Sequence, residues 1–246
     1  MPTLQVHLLP DLVEPEALAG ATVVVIDVLR ATTTIVHALA AGACAVIPCL
    51  EVDEARARAA TFPREQVVLG GERHGVRIEG FDVGNSPAEY TPESVGGRTL
   101  VFTTTNGTRA MRHARLARQV LLAGLVNRQA VADALAAAAR VDEAEVHILC
   151  AGTNGQITRE DVITAGAIAQ SLVAADQGWQ WNDEATLALD AWQAATALGV
   201  VEAFRHSQGG RNLIAEGFAA DLLLAARLDV FSLVPRLDPA TGRVNS

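Results

Sequence analysis

An α/β layered fold is predicted by three features of this 246-residue chain. Short apolar, β-branched runs recur along it. Each opens into a loop rich in glycine, threonine or asparagine, and each loop is followed by an alanine-rich stretch of helical pattern. Half of the residues are hydrophobic and 19% are charged, ample for a buried core and too apolar for a disordered chain.

Taken in order, Thr22–Ile26 (TVVVI) reads as a buried strand that opens into DVLRATTT and a helix to about Gly42. A strand over Ala45–Ile47 and a helix from about Asp53 to Ala60 follow. Strand Val67–Leu69 then opens into the long loop GGERHGVRIEGFDVGNSP. The second half repeats the order. Strand Thr99–Phe102 leads through TTTNGT into a helix to about Arg118, then come strand Val120–Ala123, helix Gln129–Arg140 and strand Val146–Cys150. The loop AGTNGQITRED opens a helix to about Ala175, after which the pattern becomes helical, over roughly Asp183–His206 and Leu213–Leu228, with a break at SQGGRN. A shift of 76 places sets Asp27 over Thr103, Thr32 over Thr108 and His37 over His113. A shift of about 80 sets VVLGGERHG over VHILCAGTNG, and with a small gap Asp82 meets Asp161. No low-complexity linker separates the parts. The expectation is one compact unit over 1–246, with similar halves at about 21–98 and 99–175 and a helical part at 176–246.

Composition excludes several chemistries. All 19 basic residues are arginine, so there is no lysine for a Schiff base, a pyridoxal-phosphate anchor or a Walker-type phosphate site. A net charge of −9 disfavours nucleic acid and anionic membrane as partners. Cys44, Cys49 and Cys150 form neither a disulfide framework nor a zinc spacing. The start of the chain lacks a signal-peptide pattern, and no apolar run reaches the ~18 residues of a membrane span. A cytoplasmic protein is expected.

The candidate chemistry lies in the loops. Asp27 follows a buried strand, where a carboxylate is costly unless paired or metal-bound and where open α/β sheets collect ligands; a helix cap or a partner for Arg30 would also account for it. Arg30, Thr32, Thr33 and Thr34 open the first helix, and Thr105, Asn106, Gly107, Thr108 and Arg109 open its counterpart, both being places suited to an anion. The long loop carries Glu72, Arg73, Asp82, Asn85 and Ser86, and the matching loop ends in Glu160 and Asp161, which equally serve as dipole complements in a first helical turn. The six histidines show no sequence cluster. Cys150 ends a strand where a nucleophile can sit, although a small buried cysteine is the commoner use of that position.

These loops carry a resemblance. VVIDVLRATTTIVHALAAGA, LGGER with GFDVGNSPAEY, TTTNGTRA, CAG with REDVITAGAIA, and the later GRNLIAEGFAADLLLAARLD resemble the 2-phosphosulfolactate phosphatase (ComB) family over nearly the whole chain. The resemblance implies a three-layer α/β/α fold with an internal duplication. It also implies a magnesium-dependent release of phosphate from 2-phospho-3-sulfolactate, on the route to coenzyme M. Such a substrate is a small anionic phosphate ester with up to about four negative charges. In a lysine-free acidic protein, arginines, helix N-termini and a divalent cation are the devices left to hold it. The expected arrangement has Mg2+ held by some of Asp27, Glu72, Asp82 and Asp161. Catalysis falls to Asp27, Arg30 and Arg109, and the ester is oriented by Thr32, Thr33, Arg73, Asn85, Ser86, Thr105, Asn106, Gly107 and Thr108. Asp27 either forms an aspartyl phosphate or serves a metal-activated water. A haloacid-dehalogenase chemistry fails on Leu29, where a second aspartate is needed, and on the missing lysine. A non-catalytic anion-binding module and a thiol hydrolase built on Cys150 are the other readings. ADLLLAARL is a candidate contact for a homodimer, or equally a piece of internal core.

Overall fold

A computed structural model describes residues 1–141, 145–174 and 178–246. The chain opens with β1 (Thr3–His7), β2 (Thr22–Ile26), α1 (Ala31–Ala40), β3 (Ala45–Cys49), α2 (Val52–Ala59), β4 (Val67–Arg73) and the short β5 (Val76–Arg77). It continues with α3 (Pro92–Val95), β6 (Thr99–Thr103), α4 (Gly107–His113), β7 (Gln119–Ala123), α5 (Arg128–Val141), β8 (Glu145–Cys150) and α6 (Arg159–Ala174). Then come β9 (Gln180–Trp181), α7 (Asp183–Leu198), α8 (Val200–Arg205), α9 (Gln208–Ala215), α10 (Ala219–Ala225), β10 (Arg236–Asp238) and β11 (Arg243–Asn245). The expected end of the second half, residue 175, lies outside the described residues, as do 176 and 177.

The strands form one mixed sheet in the order β5-β4-β6-β3-β11-β10-β7-β2-β8-β1-β9. β4-β6-β3 and β7-β2-β8-β1-β9 are each parallel. The hairpin β10-β11 joins them through three antiparallel pairings, so the two parallel groups run in opposite senses. The first strand of each half lies inside the other group: β2 between β7 and β8, β6 between β3 and β4. Ile26 pairs with Cys150 and Phe102 with Gly70, so the sequence offsets of 76 and 80 recur as strand registers.

The continuous apolar run of β2 is explained by burial on both faces. Val23 and Val25 enter a core with Ile35, Leu39, Leu100, Phe102 and Met111, from α1, α4 and β6. Val24 and Ile26 enter another with Leu135, Ile163, Ile168 and Trp192, from α5, α6 and α7. Helices therefore cover both faces of an α/β sheet, as expected.

Several expected boundaries are corrected. The part beyond residue 176 is not wholly helical: it holds β9 and ends in the hairpin that links the two parallel groups, with strands too short to leave a period in the sequence. The SQGGRN segment is not a break but the start of α9, whose Ser207 Oγ accepts from the Gly210 amide at 3.1 Å. Its glycines answer close approaches, since a Cβ on Gly210 would lie 1.8 Å from the Phe204 carbonyl and one on Gly209 would lie 2.1 Å from Glu160 Oε1. The helix breaks fall instead at Gly199 and Gly217, both at positive φ (95° and 86°). β4 runs to Arg73 before turning, so the long loop begins later than expected. Among the described residues no helix is long and apolar enough to cross a membrane.

Two histidines distant in sequence do meet. His7 Nε2 lies 2.8 Å from His147 Nδ1, with the rings stacked 5.1 Å apart. Burial, then the neighbouring His147, pushes His7 down from 6.5 to about 4. A depressed histidine contributes stability that is complete above pH 6.5 and is lost as pH falls through about 4. His7→Gln should therefore gain on the wild type in urea midpoint as pH falls from 6.5 to 4. A difference that stays constant over that range would contradict this.

Candidate active site

The residues that leave the C-terminal ends of β2, β4, β6 and β8 converge, as ligand-binding residues of open α/β sheets do. Asp27, the first residue after β2, is 8% exposed. Its Oδ1 accepts from the Ala31 amide at 3.3 Å, and its backbone is fixed by Thr32, whose Oγ1 accepts from Asp27 N at 3.1 Å and donates to Asp27 O at 2.9 Å. The start of α4 abuts the same carboxylate. A Cβ on Gly107 would lie 2.6 Å from Ala31 Cβ and 2.7 Å from Asp27 Oδ2, so glycine is the residue that lets α1 and α4 meet there. Burial raises the Asp27 pKa to about 7, the Ala31 and Gly107 amides pull it down, and Glu72 and Glu160 push it further up. Gly107→Ala should cost about 1–3 kcal/mol by overpacking and lower activity by displacing Asp27. Denaturant titration and turnover of the same variant check both effects.

Glu72, near the end of β4, is held by three donors: Oε1 accepts from Thr105 N (2.8 Å) and Thr105 Oγ1 (3.0 Å), Oε2 from Gly75 N (2.7 Å). His74 and Gly75 form a two-residue turn with φ of 53° and 79°, a geometry that suits a hairpin. Asn154 and Gly155, 80 positions on, make the same turn with φ of 52° and 73°, closed by paired hydrogen bonds between Thr153 and Gln156. Asn106 Oδ1 accepts from the Asn154 amide at 3.1 Å. Both turns face the same cavity.

Arg30 is buried with its charge compensated. One terminal nitrogen donates to Asp221 Oδ2 at 2.7 Å, the other to the Gly75 carbonyl at 3.1 Å, and the guanidinium lies 4.4 Å from the centre of the Phe218 ring. Ser86 Oγ donates to the second Asp221 oxygen at 2.6 Å. The cavity enclosed by these loops measures about 280 Å³. Asp27, Arg30, Glu72, Asn85 and Thr104–Asn106 line one side, and Gly209, Asn212, Leu213 and Glu216 close the other. Asn85 Oδ1 and Thr104 Oγ1 are buried here without a hydrogen-bond partner, which marks them for a ligand or water.

Of the residues expected from the sequence, Asp27, Arg30, Glu72, Asn85, Thr105 and Asn106 line this cavity. Thr32 and Gly107 act on Asp27, and Ser86 acts on Asp221. Thr33 is a structural hydroxyl, donating to the Val28 carbonyl at 2.8 Å. The Arg73 guanidinium is directed to Glu72 O, Leu50 O and Thr103 Oγ1. Thr108 Oγ1 donates to Thr104 O at 2.8 Å, and the residue lines a different cavity. Arg109 is exposed and does not line this cavity. It follows Gly107 in the first turn of α4 but lies on the helix's outer side.

Of the four carboxylates from which metal ligands were expected, Asp82 and Asp161 do not line this cavity. Asp82 pairs with Arg64 and accepts from the Leu69 amide at 2.8 Å, away from the cavity. Asp161 lies behind Asp27 and is satisfied by the Val28 amide (2.9 Å), the Gly152 amide (3.0 Å) and Thr158 Oγ1 (3.3 Å). Among the described residues no group of three or more His, Cys, Asp or Glu side chains is placed to hold a metal ion. Asp27 and Glu72 are the two expected metal carboxylates that face the cavity.

Sequence reading gave no site role to Asp221, Asn154 or Glu216. Asn154-Gly155 did carry a tight-turn signal, whereas Asp221 meets Arg30 across 191 residues and left none. Glu160, noted only as an acid opening a helix, is buried behind the site, with Oε1 accepting from Gly209 N at 3.0 Å and Oε2 unpartnered. Burial raises its pKa. Burial likewise pushes the Cys150 thiol well up, which argues against a thiolate nucleophile there.

Comparison with known proteins gives one consistent answer. A family model described as 2-phosphosulpholactate phosphatase matches residues 7–239. A probable 2-phosphosulfolactate phosphatase of Symbiobacterium thermophilum is 44% identical over 220 residues, covering 89% of this chain and 92% of that protein. One from Deinococcus radiodurans is 44% identical over 238 residues, covering 96% and 93%. One from Prochlorococcus marinus is 42% identical over 230 residues, covering 92% and 90%.

Proposed function

This chain belongs to the 2-phosphosulfolactate phosphatase family of phosphoric monoester hydrolases, and on that footing we propose that it hydrolyses 2-phospho-3-sulfolactate to 3-sulfolactate and phosphate, with Mg2+ as cofactor. In this reading the step belongs to the cytoplasm and to a route of the coenzyme M type. One observation carries the proposal: a single cavity holds three carboxylates, Asp27 and Glu72 on one side and Glu216 on the other, a buried guanidinium, Arg30, and two polar atoms without partners, Asn85 Oδ1 and Thr104 Oγ1.

The donor set fits magnesium. This ion takes oxygen ligands, uses one or two carboxylates together with substrate phosphate, and keeps some of its water. Asp27 and Glu72 would be its protein ligands, and a cation beside them would offset the burial that makes an ionised Asp27 costly. When bound, it supplies positive charge that polarises the phosphoryl group. The chain's own residues do the rest. Arg30 has five N–H donors, two of them engaged, and the others are available to phosphoryl oxygens as charge develops. Asn85, Thr104 and Asn106 orient the ester through amide and hydroxyl groups. Asp27 either attacks phosphorus itself or orients the attacking water, and acid-quench trapping of labelled phosphate on the protein separates these routes.

Phosphate release tests the reading. Activity on 2-phospho-3-sulfolactate should fall to background in chelator and return with Mg2+. 2-Phospholactate, which lacks the sulfonate, should lose at least about tenfold in kcat/KM, because charge-assisted hydrogen bonds disappear. Full activity in chelator, or indifference to the sulfonate, would contradict the proposal.

A further inference from the structure

A second cavity, of about 520 Å³, lies between α2, α4 and the β10-β11 hairpin. That volume falls in the range of small-molecule sites. Its wall includes the apolar side chains of Ile47, Met111 and Leu237, and its rim carries Arg58, Arg112 and Arg115. The three arginines come from different places: α2, α4 and the turn after α4. Among the described residues none of their guanidiniums has a salt-bridge partner. The one acid on the rim, Glu54, already accepts from the Leu50 and Glu51 amides through Oε2, at 2.8 and 3.4 Å.

This arrangement is unusual for the chain as a whole. It has 28 acidic residues against 19 basic ones, yet places three guanidiniums around one concavity with a single acid among them. Like charges brought together repel unless an anion answers them. Arginine is the side chain best matched to the planar or trigonal oxygens of carboxylate, phosphate and sulfonate. The apolar wall suits a short carbon body between such groups. The catalytic cavity is a separate space, and none of the three arginines lines it.

We propose that this cavity is a second binding site, for a small organic anion that carries two acidic groups on a short carbon body. Its size favours a small molecule over a polymer, and the net charge of −9 works against approach of a polyanionic macromolecule.

Titration calorimetry with phosphonoacetate, a short dianion with no ester to hydrolyse, tests it. The comparison is between wild type and a variant combining Arg58→Gln, Arg112→Gln and Arg115→Gln. The wild type should bind the probe at two classes of site, and the variant should lose one class or weaken it by at least about tenfold. Its kcat/KM for phosphate release should stay within about twofold of wild type, since no catalytic group is touched. The probe class removed by the triple replacement must exist whether or not the other cavity hydrolyses sulfolactate esters, so the two readings fail separately. Should the triple variant not fold, Arg112→Gln alone should weaken the same class by at least about threefold. Wild-type stoichiometry and affinity in a folded variant would overturn the proposal, whether the wild type shows one class of site or two.

Discussion

Asp27→Asn should lower phosphatase turnover by about 10³-fold or more while making the protein more stable. Both effects have one cause. The carboxylate is buried at the end of β2, and burial raises its pKa to about 7. A carboxyl raised in the folded state contributes stability that is complete below its ordinary value near 3.8 and is lost as pH rises through about 7. The asparagine variant avoids that loss, so its advantage in chelator should grow between pH 4 and 7 and then level off. Each kcal/mol recovered corresponds to roughly 2–4 °C in Tm for a chain of this size. Asparagine retains an oxygen for the Ala31 amide but loses the charge needed for a metal or for attack on phosphorus. A variant that keeps turnover, or that melts below wild type at pH 8, would contradict the assignment.

The second large effect concerns Asp221, whose side chain reaches the cavity through its ion pair with Arg30. Its two oxygens bind Arg30 and Ser86 at 2.7 and 2.6 Å, and both charged side chains are almost wholly buried. Removing one partner of such a pair leaves the other unpaired, a loss of about 3–5 kcal/mol. Asp221→Ala should therefore be strongly destabilised, and it should lose kcat because Arg30 is no longer held. The combined Arg30→Met, Asp221→Leu replacement should recover most of the stability, because well-packed apolar groups replace a buried ion pair at little cost. It should recover none of the activity. Denaturant titrations of the two variants beside turnover make the comparison. Restored activity in the double variant would remove Arg30 from the mechanism.

Most of the α/β frame was legible because its signals are local. TVVVI is a buried strand wherever it lies, and the loops after β2 and β6 announce helix starts. The offsets of 76 and 80 residues reappear as the registers Ile26–Cys150 and Phe102–Gly70. What escaped the sequence was long-range. Three-residue strands such as β10 and β11 have no period, and their place between β3 and β7 depends on residues more than a hundred positions away. The glycines of α9 looked like a breaker because the Phe204 carbonyl and Glu160 carboxylate that require them are invisible in one dimension.

The candidate site divides in the same way. Asp27 was legible as a carboxylate at the end of a buried strand, where burial makes charge costly, Arg30 as a cation at a helix opening and Glu72 as an acid in a long glycine-punctuated loop. Asp82 and Arg109 looked equivalent by type and spacing, but a loop's side-chain directions are not written in its composition: Asp82 turned to Arg64, and Arg109 to solvent. The two halves of the chain also differ in what they bring. At the places of Asp27, Arg30 and Glu72 the second half has Thr103, Asn106 and Gly152, so the first supplies charge and the second mainly hydroxyl, amide and main-chain groups.

The most direct measurement is a crystal structure of the protein with Mn2+ in place of Mg2+ and tungstate in place of phosphate, both located by anomalous scattering. The account predicts the cation against the Asp27 and Glu72 carboxylates and the oxyanion beside Arg30, within the same cavity. A cation held by other residues, or an oxyanion bound away from Arg30, would contradict it.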